Sequence, residues 1–108
     1  MLGKKLGLRK GDPAPEVASQ AASAIRAYAK EHAALFEREE RLRAKAERLA
    51  KAGTPSESAN NRAERARGEV EAGLLALREH FAPSAGERGR AFDREVGRLY
   101  PGLGVESR

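Results

Sequence analysis

Leu49-Ala50-Lys51-Ala52-Gly53-Thr54-Pro55-Ser56-Glu57 is the stretch on which the fold turns. Upstream of it, residues 13–52 hold no glycine, and no proline past Pro15. Gly53 can take the left-handed backbone that ends a helix. Thr54, Pro55 and Glu57 then follow the pattern of a capping box, with a hydroxyl to accept an amide N–H, a proline at the first helical position and a carboxylate reaching back. Two helices separated by so short a connection must lie antiparallel. A hairpin bent at Gly53 is therefore expected.

The arms of that hairpin carry matching stripes. Tyr28, Leu35, Leu42 and Leu49 recur at intervals of seven, with Ala18, Ile25, His32, Glu39 and Ala46 on companion positions. Such a repeat draws one narrow apolar line along a helix, which a second helix must cover. Residues 55–82 supply the cover in Ala63, Ala66, Val70, Leu74, Leu77 and Phe81. Folding about Gly53 sets Leu42 near Ala66, Leu35 near Leu74 and Tyr28 near Phe81. Glu39 is a polar interruption of the line that can fix register.

Ala22, Ala29, Ala33 and Phe36 widen the stripe over the first half of residues 13–52, which calls for a third element. Pro83-Ser84-Ala85-Gly86-Glu87 repeats the break-and-cap device, so a shorter helix is expected over 85–99 with Phe92, Val96 and Leu99 inward, ended by Pro101-Gly102. Gly86, Gly89 and Gly97 each weaken it by about 1 kcal/mol relative to alanine, so it depends on packing. The expected fold class is all-α: a long antiparallel, coiled-coil-like helical hairpin with a shorter third helix packed on its open end. Residues 1–12 read as a flexible basic arm, 13–100 as the helical domain with helices over 13–52, 55–82 and 85–99, and 101–108 as a tail.

Composition limits what else the chain can be. Its 108 residues suit one domain with a small core. Twenty-one alanines and no tryptophan favour helix formation but leave little area to bury. A protein partner or a homo-oligomer is therefore expected. The absence of cysteine excludes a disulfide framework and cysteine-ligated metal sites. No apolar run approaches the roughly twenty residues of a membrane span, and Met1 to Leu8 has no apolar stretch after its charges, so a cytoplasmic location is expected. Arg outnumbers Lys by fifteen to six beside the heavy alanine usage, which points to a GC-rich bacterial or phage source.

The net charge of +5 is unevenly spread. Lys4, Lys5, Arg9 and Lys10 against Asp12 make the arm basic, residues 31–40 carry a balance of −3, and residues 41–67 return to +5. Arg41, Arg43, Lys45, Arg48, Lys51, Arg62, Arg65 and Arg67 crowd toward the bend, where a slender protrusion can meet phosphates. With no aromatic residue among them, such contact would be to backbone rather than to stacked bases. The plain alternative is a solvated face, since Glu37–Arg41, Glu39–Arg43 and Glu47–Lys51 are stabilising pairs four apart.

Glu31-His32 and Glu79-His80 are the remaining polar constellation, brought within about a turn of each other by the fold-back. The Glu-x-x-His spacing of helical carboxylate sites is absent, because Ala29 and Leu77 stand three before the histidines. No metal or other cofactor is expected. Nor is an enzyme: there is no cysteine nucleophile, Ser and Thr sit at caps, and no glycine-rich loop follows a strand. The function expected first is that of a non-enzymatic adaptor or assembly protein of a bacterial or phage complex, using Leu35, Phe36, Leu42, Leu74, Leu75 and Leu77 as partner or self-association contacts. The alternative is a nucleic-acid-binding accessory protein that presents the hairpin tip and the amino-terminal arm to phosphates.

Overall fold

The computed structural model describes residues 14–84 and 86–103, and every regular element among them is helical. In chain order they are α1 (Pro15–Glu31), α2 (Ala33–Lys51), α3 (Glu57–Phe81) and α4 (Glu87–Leu99). The forty-residue helix expected over 13–52 is two helices. His32 separates them at φ −116° and ψ 38°, outside the helical region. Its N–H still donates to the Tyr28 carbonyl at 3.0 Å, and its own carbonyl accepts from Leu35 at 3.0 Å and Phe36 at 3.2 Å. The two helices thus follow one another without a loop.

The break at His32 has no local cause in the sequence. Neither proline nor glycine stands near His32, the usual local causes of a sharp kink. Instead α2 lies mainly along α3 and α1 mainly along α4, so the break at His32 divides the two sets of contacts. Aromatic rings line the corner: Tyr28 is 4.3 Å from His32 and 6.1 Å from Phe36, centroid to centroid, and Phe36 is 5.1 Å from Tyr100. The fold-back expected Tyr28 near Phe81. Its hydroxyl rests instead against Gly73, two turns earlier on α3, where a Cβ would collide with it.

Gly53 makes the reversal at φ +82°. Its N–H donates to the Ala50 carbonyl at 3.1 Å, and the Thr54 N–H donates to the Leu49 carbonyl at 2.9 Å. The cap of the next helix is displaced from the expected position. Thr54 turns its hydroxyl back toward Leu49 O at 3.4 Å, and it is the Ser56 hydroxyl that accepts the Ala59 N–H at 3.1 Å. Pro55 accordingly lies outside α3, and Glu57 is its first residue rather than the third. At the other break α4 starts at Glu87 behind Gly86 (φ +86°), and its carboxylate accepts the N–H of Ala14 at 2.7 Å, which satisfies the start of α1. Residue 13, where the first helix was expected to start, lies outside the described residues.

α2 and α3 run in opposite directions. Arg38 meets Glu69 across them at 3.4 Å, and Leu42 and Leu49 share a cleft with Ser56, Ala59 and Arg62 nearer the bend. The core sits at the far end, where Ala21 and Ile25 of α1, Val70 and Leu74 of α3, and Ala91, Phe92 and Val96 of α4 form one cluster. Full burial of Ile25, Val70, Leu74, Phe92 and Val96 contributes about 1.5–3 kcal/mol each. Toward the Gly53 turn, by contrast, the only buried apolar side chains among the described residues are the alanines Ala46, Ala59 and Ala66. The molecule measures 59 × 27 × 26 Å, with a radius of gyration of 16.7 Å against about 13 Å for a compact chain of this length.

Ion pairs close the base. Arg78 of α3 grips Asp93 of α4 through two hydrogen bonds of 2.7 and 3.0 Å. Gly89 makes room for it, since a Cβ there would come within 2.7 Å of an Arg78 guanidinium nitrogen. Arg88 lies 4.0 Å over the Phe81 ring and donates to the Phe81 carbonyl at 2.9 Å and to Gln20 of α1 at 3.1 Å. One side chain therefore joins three helices.

Candidate functional site

The distal half of α2–α3 has two unlike sides. On one, Arg41, Lys45 and Arg48 fall at spacings of four and three on α2, which is one stripe of a helix. Lys45 shares a cleft of about 210 Å³ with Arg62 of α3, together with Leu42, Leu49, Ser56, Ser58 and Ala59. No carboxylate lines it. Arg62 also borders the neighbouring hollow with Arg65, Asn61, Ser58 and Glu57. The register fixed by the Arg38–Glu69 pair and the Lys45–Arg62 cleft brings Arg41 level with Arg65. All five cations are exposed.

The opposite side is charge-balanced. Its cleft of about 380 Å³ is lined by Glu39, Glu47 and Glu64 as well as Arg43, Arg67 and Asn60. Both arginines are already engaged, Arg43 with Glu39 at 3.0 Å and Arg67 with Glu71 at 3.0 Å. Hydrogen bonds to Glu39 and to Glu71 raise the pKa of Arg43 and of Arg67 above the ordinary arginine value, and the bond to Asp93 does the same for Arg78. A raised pKa stabilises the fold at every pH below the ordinary arginine value, and the gain is lost only as pH climbs through the raised value. These three cations therefore stay charged and committed at neutral pH.

No family model, characterised protein or solved structure matches this chain.

Of the eight cations that the sequence gathers at the bend, two are thus spoken for within their own helices. Lys51, at the end of α2, is exposed. Lys4, Lys5, Arg9 and Lys10 lie outside the described residues. Glu39, the interruption of the apolar line, is buried with 4% of its surface exposed, and Arg43 reaches it through two hydrogen bonds of 3.0 and 3.4 Å. It draws one of the expected phosphate ligands away from the cationic side.

The expected apolar contact set divides as well. Leu74 is wholly buried in the chain's own core, which removes it from any docking surface. Its place on the inner line of α3 points it toward α1 and α4, a fate that the sequence left open between core and partner. Leu35, Phe36 and Leu77 are half-buried against that core, and Leu42 is half-buried in the hairpin. Leu75 alone of the described large apolar side chains is open, at 37%.

The two Glu-His dipeptides make no centre. The His32 ring stacks on Tyr28 with Glu31 at 4.0 Å, and Glu79 and His80 are exposed. Among the described residues no three His, Cys, Asp or Glu side chains gather closely enough to hold a metal ion, and no helix is long and apolar enough to cross a membrane. Arg78, Asp93 and Arg88, which tie the base together, were missed by sequence reasoning. Charged residues of their kind are common on helix surfaces, and nothing in their spacing marks these three as partners.

Proposed function

We propose that the chain is a non-enzymatic binding protein whose coiled-coil-like hairpin, seated on the α4-packed base, contacts the phosphate backbone of nucleic acid. One observation supports this reading: Lys45 and Arg62 face a cleft without a carboxylate, with Arg41 and Arg48 on the Lys45 stripe of α2 and Arg65 beside Arg62 on α3, all exposed, while the opposite side consumes its arginines internally. Uncompensated cations gain by displacing the counterions condensed on a polyanion, and cations already paired with carboxylates gain little. The hairpin holds the five on a thin projection away from the core.

Retention on immobilised nucleic acid across a salt series tests the proposal. Binding should weaken steeply with salt and vanish when Arg48, Arg62 and Arg65 are changed to Glu, with helical content retained. Indifference to that reversal would refute it.

The adaptor reading rests on a different place. Leu75, exposed on α3, favours contact with a partner or a second copy at the base. Leu75→Asp should then abolish self-association in light scattering while leaving the fold intact. A wild type that stays monomeric at high concentration removes the self-association form of this reading.

A further inference from the structure

Resting on the nucleic-acid reading, we infer that the cationic side is built for a duplex, contacting both of its strands at once and without regard to sequence. The five cations form two rows rather than one. Arg41, Lys45 and Arg48 span about 10 Å along α2, at 1.5 Å per residue. Arg62 and Arg65 make the second row on α3, level with the first across the Lys45–Arg62 cleft. The rows stand on two packed helices whose axes lie about 8–10 Å apart, so they are two lines of charge rather than one. A single strand presents one line of phosphates. A duplex presents two, facing each other across a minor groove about 6 Å wide.

Stiffness points the same way. Two rows fixed on a packed helix pair cost little to match to a polymer that is itself stiff over about 150 base pairs, whereas a flexible strand would have to be ordered to meet both. Chemistry on the projection agrees. Proteins that hold single strands stack bases on aromatic rings, at about 1–3 kcal/mol per base. All the described aromatic residues, Tyr28, Phe36, Phe81, Phe92 and Tyr100, lie in the base or at its corner, and none accompanies the cations. Arginines and a lysine on phosphates position a protein without reading bases.

The test uses the full chain with a mixed-sequence duplex of about 25 base pairs, its single strand, and a duplex of unrelated sequence. The duplexes should bind alike and at least about tenfold tighter than the strand at moderate salt. Against log salt, the slope should fall by about 3 when Arg41, Lys45 and Arg48 become Gln, and by about 2 when Arg62 and Arg65 become Gln, near one unit for each phosphate left unneutralised. Equal or tighter binding to the strand overturns the duplex inference and leaves the nucleic-acid reading standing, as does a duplex slope that responds to one row and not the other. Failure to bind any of the three at low salt overturns both.

Discussion

Two glycines of α3 should respond oppositely to the same substitution. Gly68 and Gly73 both lie inside the helix, where alanine is intrinsically better by about 1 kcal/mol. A Cβ on Gly68 meets nothing within 4 Å. Gly68→Ala should therefore stabilise the protein by about that amount, or about 4–8 °C in Tm for a domain of this size. A Cβ on Gly73 strikes the Tyr28 hydroxyl, with the ring carbon bearing it only 3.0 Å away. Swinging Tyr28 aside would give up its ring contacts with His32 and Phe36. Overpacking of this kind costs about 1–3 kcal/mol, so the net change for Gly73→Ala is between nothing and a loss of about 2 kcal/mol. Urea denaturation of the two variants, and of both in a Tyr28→Ala background, separates propensity from collision. Without the ring, Gly73→Ala should stabilise like Gly68→Ala, which gives a coupling energy of about 1–3 kcal/mol between positions 28 and 73. Equal stabilisation by both glycine variants in the wild-type background would refute the packing of α1 across α3.

Three further changes test the joints. Ser56→Ala should cost about 1 kcal/mol, the worth of a helix cap, and Thr54→Ala clearly less, measured by the same denaturation; the reverse order would place the cap at the position expected from sequence alone. Arg78→Ala should cost about 3 kcal/mol, since it leaves Asp93 without its guanidinium in a largely buried setting, and a loss below about 1 kcal/mol would show that α4 docks without the pair.

How far the sequence could be read depends on the range of the forces at each point. The reversal at Gly53 and the break before α4 were legible because left-handed glycines and prolines act within a few residues. The inward placement of Val70, Phe92 and Val96 was legible from spacing, which survives any choice of partner. The break at His32 was not, because no proline or glycine marks it. The cap moved two residues because Thr54, a suitable cap by type, found the Leu49 carbonyl first. Arg43 was already paired with Glu39 by spacing and Arg67 has Glu71 four residues on, both within one helix, whereas which of the other cations stand level across the hairpin depends on the register of α2 against α3. Leu74 and Leu75 are neighbours of identical type, and only the rotation of α3 decides which is core and which is surface.

The cationic face exists only if α2 and α3 lie side by side about Gly53. The chain has no cysteine, so spin labels can be placed at Glu37→Cys and Ala72→Cys, exposed positions on the two arms, without background. Pulsed electron resonance should give a distance below about 25 Å, the interhelical spacing plus two label arms. A distance near about 50 Å, that of about 35 residues continuing as one rod at 1.5 Å each, would contradict the hairpin and with it the cationic face.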